Sequence, residues 1–447
     1  MLPIQDLISA LKIYWEAYGC AANVADAEIA LGILRDRGHE VVSSPDEADV
    51  LIIFTCVVKK PTSDRMLYRI AELKRYDGRL VVAGCITSGE PEKVKRIAPD
   101  AVMIHPRAVT RIWEAVERGR SILEEVDELK LGHRRVRRNP LVSIIPVSEG
   151  CLWKLCSFCI VARTRGSFRS YPIDLIRCEV ERSLREGAVE IWLTSQDMGS
   201  YGMESGRSML PSLIKGVAEV DGLFFIRVGM MNPLYVYPIR KEHAEAYLNP
   251  KVFKFLHLPV QSGSNKVLRD MRRGYSVEVF REIVRTMRSR IPNLTLSTDL
   301  IVGYPTEDEA DFEETLKLVE EIEPDMINIS RFFSRPRTPA EKLKPLDPRK
   351  VKERSRLLSA VAREVALRKS ERWIGWSGYA IVDEVGERGE AIARNMAYRP
   401  IVILGRPARE IFGKIVEVEV EGARPYCLMA RLKRVADLRE VQEAATA

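Results

Sequence analysis

The sequence lacks several features that would assign it quickly. No apolar run approaches the roughly 20 residues that span a bilayer, so a membrane anchor is not expected. HExxH, GxGxxG and P-loop motifs are missing and the five histidines are scattered, so zinc proteases and nucleotide hydrolases have no support. The first residues, MLPIQDLISALKIYW, lack the charged and apolar segments of a secretory leader. We therefore expect mature chain of a cytoplasmic protein.

The composition is that of a globular protein with a basic bias. Hydrophobic residues make up 46% of the 447 residues and charged residues 30%, and the length suits two to four domains. Lys and Arg number 70 against 63 Asp and Glu, which gives a net charge of +7. This excess permits a polyanionic partner such as nucleic acid.

The first third of the chain alternates strand and helix patterns. KIYWEAYG, ADVLIIFTC and GRLVVAGC read as strands, and DAEIALGILRDRG and TSDRMLYRIAELKRY as helices. This repetition predicts an N-terminal domain over residues 1–135 with a doubly wound, mainly parallel sheet. The charge run and proline of Lys130–Pro140 mark the first boundary, and we interpret that segment as a solvated linker.

The remainder of the chain predicts two more domains. Six strand patterns with helical spacing (LVSIIPV, VEIWLTSQD, LFFIRVG, VFKFLHLPV, LTLSTDLIVG and DMINIS) indicate a partial (β/α)6 barrel within residues 140–370. By analogy with complete barrels, its chemistry is expected at the carboxyl ends of the strands. Residues 349–372 predict one long helix with nine basic and three acidic residues. Five short strand patterns in residues 372–435 then predict a small all-β barrel.

Three cysteines follow the first strand of the predicted central barrel. In EGCLWKLCSFC, Cys151, Cys156 and Cys159 share one loop. Clustered cysteines in a cytosolic protein indicate metal or catalysis rather than disulfides. Three thiolates leave one iron of a 4Fe-4S cluster open to bind substrate or cofactor, whereas a closed site uses four ligands. A zinc site completed from elsewhere in the chain, and three incidental buried cysteines, are the alternatives.

A second set of three cysteines follows strands of the N-terminal sheet. Cys20, Cys56 and Cys85 stand in YGC, FTC and AGC, each directly after a predicted strand. The carboxyl ends of parallel strands face one crevice, so these thiols are expected to meet as another open-iron site. The alternative is that these three positions hold cysteine only because the tight turns after the strands require small residues. Cys178 and Cys427 are interpreted as core residues.

These motifs resemble those of the radical S-adenosylmethionine methylthiotransferases, specifically the archaeal-type branch acting on N6-threonylcarbamoyladenosine in tRNA. The resemblance spans nearly the whole chain. It includes the segments YGCAANVADAE, FTCVV, VAGC, EGC with CSFC, RGSFRSYP, EIWLTSQDMGSYG, RVGMMNP, HLPVQSGSNKVLRDMRRGY, TDLIVGYPTEDEADF and FSRPRTPA. The end of the chain resembles a TRAM domain, the small RNA-binding β-barrel of this family.

The resemblance implies two 4Fe-4S clusters and S-adenosylmethionine as cofactors. Cys151, Cys156 and Cys159 would hold the cluster that chelates S-adenosylmethionine, and Cys20, Cys56 and Cys85 an auxiliary cluster that delivers sulfur. Phe158 would lie beside the adenine. The candidates to line the cofactor and substrate pocket are Ser195, Gln196, Asn232, Gln261, Asp299 and Gly303, although a structural role at a strand end is an alternative for each.

The chain departs from the family pattern at two places. The family's radical motif normally reads C-x3-C-x2-C, whereas Cys151 and Cys156 here enclose four residues. The family usually has NTC where this chain has FTC, so Phe54 replaces a polar residue near the auxiliary cysteines. Neither change removes a thiolate.

The implied reaction is 2-methylthiolation of N6-threonylcarbamoyladenosine at position 37, next to the anticodon, by radical sulfur insertion and methylation. Alternatives are action on N6-isopentenyladenosine or on a ribosomal protein aspartate, or a non-catalytic iron–sulfur RNA-binding protein. The expected partners are the tRNA anticodon loop, a flavodoxin- or ferredoxin-type electron donor and an unknown sulfur donor. We predict that Arg354, Arg356 and Arg363 of the basic helix contact tRNA phosphates; the alternative is a solvated linker helix.

Overall fold

A computed structural model describes residues 9–436. Residues 1–8, which begin the segment interpreted as mature chain, and residues 437–447 lie outside the described part. None of the helices in the described part is long and apolar enough to cross a membrane.

The N-terminal part is a five-stranded parallel sheet flanked by helices. Its strands, which pair in the order β2-β1-β3-β4-β5, are β1 (Lys12–Ala17), β2 (Glu40–Val41), β3 (Val50–Thr55), β4 (Arg79–Gly84) and β5 (Val102–Ile104). Its helices are α1 (Ala21–Asp36), α2 (Lys60–Leu73), α3 (Ile86–Gly89), α4 (Pro91–Ile97) and α5 (Ile112–Arg118). Every residue of β3 is buried because helices cover both faces of the sheet. The doubly wound prediction is confirmed.

The charged segment between the first two domains is not a solvated linker, and that interpretation was wrong. The Lys130 ammonium is buried between the carboxylates of Asp26, at 2.7 Å, and Glu149, at 2.5 Å. Arg135 is also buried and pairs with Glu179 at 2.8 Å. Buried charges persist when they are paired, and these pairs join the two domains.

The central part contains the six predicted strands as two three-stranded parallel sheets, β10-β9-β6 and β11-β12-β13. A bridge between Ile226 and Val252 joins the first sheet to the segment that leads into the second. Within residues 9–436, the first and last of these strands do not pair, so the barrel is open. The strands, with a short two-stranded sheet made by β7 and β8, are β6 (Val142–Pro146), β7 (Ser148–Glu149), β8 (Arg169–Ser170), β9 (Glu190–Thr194), β10 (Phe225–Val228), β11 (Phe255–His257), β12 (Thr295–Val302) and β13 (Met326–Arg331).

Helices pack around the outside of these strands and enclose the largest core of the molecule. They are α6 (Val161–Thr164), α7 (Ile173–Arg185), α8 (Leu210–Ala218), α9 (Pro233–Val236), α10 (Arg240–Tyr247), α11 (Asn265–Asp270), α12 (Val277–Arg290), α13 (Glu309–Ile322) and α14 (Pro348–Glu371). Short 3-10 turns lie at Pro45–Glu47, Pro106–Arg111, Met198–Ser200, Met203–Ser205, Tyr237–Ile239 and Pro339–Lys342. The predicted partial barrel and long helix are confirmed.

The C-terminal part is a closed barrel in the order β14-β15-β16-β18-β17. Its elements are β14 (Ser377–Val385), β15 (Glu390–Arg394), β16 (Pro400–Pro407), α15 (Ala408–Ile411), β17 (Ile415–Arg424) and β18 (Cys427–Ala436). The five predicted strands therefore form the predicted small all-β barrel.

Helix α14 connects the carboxyl-terminal mouth of the central barrel with the small barrel. Near its start, Val351 packs on Gly303 so closely that a Cβ at Gly303 would lie 2.6 Å from the valine side chain. Near its end, the Ser370 hydroxyl accepts a hydrogen bond from Arg399 and donates to the Pro425 carbonyl at 3.2 Å. At about 1.5 Å per residue, 24 residues span about 36 Å.

Candidate functional site

The three N-terminal cysteines lie together at the carboxyl ends of neighbouring strands. Cys20 precedes α1, Cys56 directly follows β3, and Cys85 follows β4 and precedes α3. Gly19 has φ +105°, and a Cβ there would lie 2.7 Å from that of Cys56, so the approach requires glycine. The structure therefore brings this predicted trio together, as the order of the strands requires.

Arg165 is a buried cation beside this trio. Its guanidinium donates hydrogen bonds to the Asp26 carboxylate and, at 3.1 Å, to the Asn23 side-chain oxygen, and it faces Cys85 and Cys20. Burial alone lowers the pKa of Arg165, but the charges of Cys85 and Asp26 outweigh it, so the pKa lies well above its ordinary value. A permanent positive charge at the trio favours thiolates and an anionic cluster.

The other trio lies in the loop that leads from β7 to α6. The additional residue between Cys151 and Cys156 is accommodated by Trp153, whose indole N–H donates to the Arg272 carbonyl at 2.7 Å. The indole ring packs on Gly274, where a Cβ would lie 2.8 Å from the ring. The longer loop is thus anchored to the segment that follows α11.

Arg273 gives this trio a buried cation of its own. Its Nη1 donates to the Cys156 sulfur at 3.2 Å, and its Nε donates to the Tyr275 hydroxyl at 3.1 Å. Hydrogen bonds to cluster sulfurs and nearby charge set the reduction potential of an iron–sulfur centre. Each trio therefore has one arginine positioned to act on it.

Burial favours the protonated form of four of the six thiols. It raises the pKa of Cys56 and of Cys159 to about 11, and it raises the pKa values of Cys85 and Cys151 as well. Iron binding supplies positive charge and displaces these protons. All six thiols are free of disulfides, so the donor set fits two three-thiolate clusters.

The two trios face each other across the interface of the first two domains. Val57, next to Cys56, and Ile160, next to Cys159, both pack on Gly89, where a Cβ would lie 3.1 Å and 3.4 Å from their side chains. Ile160 packs into the core under the N-terminal sheet, and the Ser88 hydroxyl donates to the Thr164 carbonyl at 3.0 Å. Within residues 9–436, no three Cys, His, Asp or Glu side chains converge tightly enough for a single metal ion. A 4Fe-4S cluster needs thiolates that are farther apart, because each thiolate binds a different iron.

Ser195 and Asn232 lie at the ends of β9 and β10, where Asp197 connects them. The Ser195 hydroxyl accepts from the Asp197 N–H at 3.2 Å, and the Asp197 carboxylate accepts from the Asn232 N–H at 2.8 Å. Burial raises the pKa of Asp197 to about 6. The Asn232 side-chain oxygen accepts from the Leu234 N–H at 3.1 Å and caps α9. This hydrogen bond stabilises the helix, so the oxygen has a structural role.

Gln196, Gln261 and Asp299 are also at the barrel mouth. The Gln196 side-chain oxygen is buried without a partner among the described residues. Gln261 has φ +74°, a strained conformation that is typical of functional sites. His257 lies 3.2 Å from the Asp299 carboxylate. Burial raises the pKa of Asp299, but the hydrogen bond and charge of His257, with a smaller effect of Lys59, bring it below its ordinary value.

The last two pocket candidates lie at the margin of this region. Phe158, which directly precedes Cys159, packs with Tyr304 and Met271 in a small apolar cluster. Gly303, with φ +79°, faces Val351 of α14, and its missing side chain lets the helix approach. A role for either residue in binding S-adenosylmethionine stays a prediction.

Arg354 does not face solvent, so its predicted contact with RNA phosphate was wrong. Its guanidinium is 3% exposed and pairs with Glu307 at 2.7 Å and Glu309 at 2.9 Å. It lies four residues before Leu358, on the same face as Leu358 and Ala362 that packs inward. Arg356 and Arg363 are exposed and have no ionic partner among the described side chains.

Arg354→Ala should therefore act on stability. We expect the free energy of unfolding to fall by about 3–5 kcal/mol, because Glu307 is left buried without its cation. Denaturant unfolding measures the change, and Arg356→Ala, an exposed arginine on the same helix, is the control. Equal stability of the two variants would contradict the internal role of Arg354.

Two further expectations concern single residues. Cys178 is exposed on α7, so its interpretation as a core residue was wrong, whereas Cys427 is partly buried in β18.

Phe54 packs in the core on the α1 side of the N-terminal sheet, and it is 1% exposed. The phenylalanine that replaces the family's usual polar residue is thus accommodated by packing in the apolar core.

Sequence reasoning missed Arg165, Arg273 and Asp197. Both arginines directly precede a glycine with positive φ, Gly166 and Gly274, inside motifs that had already been singled out, RGSFRSYP and MRRGY. Arg165 follows Cys159 by six residues, whereas no cysteine lies near Arg273 in sequence, so neither Arg-Gly pair shows which partner the arginine meets. Asp197 had been included in a strand pattern, although the strand ends at Thr194.

Replacing Arg165 should alter the auxiliary cluster selectively. In Arg165→Gln, Asp26 keeps Lys130 as its partner, so the fold should persist. Removing the cation should shift the reduction potential of the auxiliary cluster to more negative values and leave the radical cluster unchanged. Electron paramagnetic resonance during a redox titration resolves the two, with Arg163→Gln on the exposed face of α6 as control. Identical titrations for both variants would contradict this role.

Comparison with known families agrees with the two cysteine-bearing domains. Residues 12–105 match the uncharacterized protein family UPF0004, and residues 145–319 match the radical SAM superfamily. Among solved structures, the radical S-adenosylmethionine methyltransferase TsrM from Kitasatospora setae, with tryptophan and a SAM analogue bound, has a TM-score of 0.56 at 14% identity. The match covers 74% of this chain and 75% of that one, and it shows a shared fold.

Curated relatives extend the match over almost the whole chain. The probable threonylcarbamoyladenosine tRNA methylthiotransferase of Methanothermobacter thermautotrophicus is 40% identical over 402 residues, covering 88% of this chain and 94% of the relative. The Homo sapiens threonylcarbamoyladenosine tRNA methylthiotransferase is 33% identical, covering 92% of this chain and 72% of the relative. The chain therefore belongs to the threonylcarbamoyladenosine tRNA methylthiotransferase family, within the radical SAM superfamily.

Proposed function

We propose that this protein converts N6-threonylcarbamoyladenosine at position 37 of tRNA to its 2-methylthio derivative. The observation that carries the proposal is the pair of three-cysteine sets, which face each other across one domain interface. One open-iron site is enough to activate S-adenosylmethionine, and a second one beside it is what a sulfur-inserting enzyme needs in addition. The names of the relatives supply the substrate.

The cofactors are two 4Fe-4S clusters and S-adenosylmethionine. When bound, they supply reductive S-adenosylmethionine cleavage, sulfur and the methyl group, while the protein binds and orients the reactants. Cys151, Cys156 and Cys159 hold the radical cluster in this proposal. The auxiliary cluster is held by Cys20, Cys56 and Cys85.

The barrel mouth supplies polar groups for the reactants. Asp197 fixes both neighbours beside the radical trio, because its backbone N–H donates to the Ser195 hydroxyl and its carboxylate accepts from the Asn232 N–H. Gln196, Gln261 and Asp299 present amide and carboxylate groups that can read the edge of an adenine. The N-terminal domain packs against this mouth, where the Arg335 guanidinium donates to the Val57 carbonyl, and so limits access of water.

The RNA is proposed to lie along α14. Its exposed Arg356 and Arg363 project from the face opposite the packed residues, and both are free to neutralise phosphates. Each neutralised phosphate releases counterions, so binding weakens as salt rises. The double variant Arg356→Ala, Arg363→Ala should bind tRNA more weakly and reduce the magnitude of the slope of log K against log salt by about 1.8.

A filter-binding or fluorescence titration over several salt concentrations measures both quantities. Arg163→Ala, an exposed arginine of α6, is the matched control and should retain the slope of the unaltered protein. An unaltered affinity and slope in the double variant would exclude α14 from the RNA interface.

The reductant is proposed to be a flavodoxin- or ferredoxin-type protein, since the radical cluster must receive one electron at a time. Anaerobic reconstitution followed by nucleoside mass spectrometry tests the function. The proposal expects about eight irons per chain and 2-methylthio-N6-threonylcarbamoyladenosine in treated tRNA. Iron binding without any S-adenosylmethionine cleavage would favour a non-catalytic RNA-binding protein instead.

A further inference from the structure

A cavity of about 420 Å³ lies between the central domain and the small barrel, away from the cysteines. Phe225 and Phe253 form one wall, and Trp376 and Tyr379 contribute from the start of β14. Arg394 of β15 also lines the cavity. Its volume is within the range of sites that bind small aromatic ligands.

The aromatic walls are held in fixed orientations. Phe225 stacks on Phe253 with ring centroids 5.3 Å apart and an interplanar angle of 28°. The Trp376 ring lies across Gly378, where a Cβ would be 2.5 Å from the ring, so only glycine permits this position. Phe225, Trp376 and Tyr379 are each only partly buried. Flat aromatic surface therefore faces the cavity.

The polar groups of the cavity are few and oriented. Glu417 accepts a hydrogen bond from Arg434 at 2.8 Å, and Lys433 donates to the Ser377 hydroxyl at 3.1 Å. Arg394 pairs with Glu384 at 2.5 Å, and its guanidinium lies over the Tyr398 ring, 5.5 Å from the ring centroid. Flat apolar walls with both cationic and acceptor groups suit a heteroaromatic base, which stacks on a ring and bonds along its edge.

The cavity cannot be the place where the reacting base is modified. Phe225 is the first residue of β10, and thus lies at the amino end of a barrel strand, whereas the radical trio lies at the carboxyl ends. Helix α14 joins these two ends over about 36 Å. Trp376 follows the last residue of this helix, Glu371, by five positions, so the basic face of α14 leads from the mouth to the cavity.

We propose that this cavity binds an unpaired base of the RNA substrate, as a second anchor remote from the reacting adenosine. The inference rests on the proposed function, because it takes tRNA as the ligand. The exposed arginines of α14 hold the phosphates between the two sites, and aromatic stacking in the cavity is independent of base identity. Stacking in the cavity thus adds affinity and orientation, and a preference for one base over another would come from the polar groups at its edge.

Leucine substitutions test the stacking, since leucine keeps an apolar side chain but removes the ring. Trp376→Leu and Phe225→Leu should each weaken tRNA binding by about tenfold. The slope of log K against log salt should not change, because no cation is lost. An unchanged salt slope distinguishes the cavity variants from the α14 double variant, in which both the tRNA affinity and the slope change. Tyr68→Leu, an exposed aromatic residue of the N-terminal domain, should bind as the unaltered protein does.

Photochemical crosslinking of the unaltered protein to tRNA gives a test that needs no variant. Mass spectrometry should find a nucleotide attached to the peptide that contains Trp376 and Tyr379. Crosslinks confined to α14 and the cysteine loops, with unaltered affinity of the leucine variants, would overturn the proposal. Nucleoside analysis at saturating tRNA keeps the two proposals separate: failure of the proposed function removes the methylthio product from the unaltered protein, whereas failure of the cavity proposal leaves it.

Discussion

A protein in which Cys20, Cys56 and Cys85 are replaced by alanine should still cleave S-adenosylmethionine and form no methylthio product. The three thiols lie on the N-terminal sheet, so their loss leaves the loop of the radical trio in place. Iron content should fall from about eight to about four per chain. Quantifying 5′-deoxyadenosine and 2-methylthio nucleosides in the same reaction separates the two activities.

The chain provides its own control for this experiment. Cys178 and Cys427 lie outside both trios, one exposed on α7 and one in β18. Their replacement by alanine should change neither the iron content nor the product. Product formation by the triple variant would show that the sulfur comes by a route that does not need the N-terminal cysteines.

Cys156→Ala should abolish both S-adenosylmethionine cleavage and product formation. The remaining thiols, Cys151 and Cys159, are two ligands where three are needed, and Arg273 loses its sulfur acceptor. The auxiliary cluster should remain, with about four irons per chain and its own paramagnetic signal. The measurement is 5′-deoxyadenosine release under reducing, anaerobic conditions. Cleavage at the rate of the unaltered protein would mean that the cluster is held by other ligands.

The strand-end cysteines were predictable because a local pattern and a topological rule are sufficient. Each of Cys20, Cys56 and Cys85 follows a strand pattern, and the carboxyl ends of parallel strands meet. The six strands of the central barrel and helix α14 were predictable in the same way. Burial of apolar residues with a regular period determines these elements, and the period is visible in the sequence.

The buried charges could not be predicted, since they depend on partners far away in sequence. Arg165 contacts Asp26, which is 139 positions away in sequence, and Arg273 contacts Cys156, which is 117 positions away. Lys130 belongs to a charge run that looks solvated, yet it is enclosed by carboxylates from two domains. The charge of a residue alone does not show whether folding places an oppositely charged side chain beside it. Arg354 is different, because its spacing from Leu358 and Ala362 did place it on the inward face of α14.

The most direct test of the account is nucleoside mass spectrometry on two tRNAs that carry different modifications at position 37. The reconstituted protein, supplied with a reductant, S-adenosylmethionine and a sulfur source, should convert N6-threonylcarbamoyladenosine to its 2-methylthio derivative and leave N6-isopentenyladenosine unchanged. Formation of 2-methylthio-N6-isopentenyladenosine, with the threonylcarbamoyl nucleoside left unmodified, would contradict it.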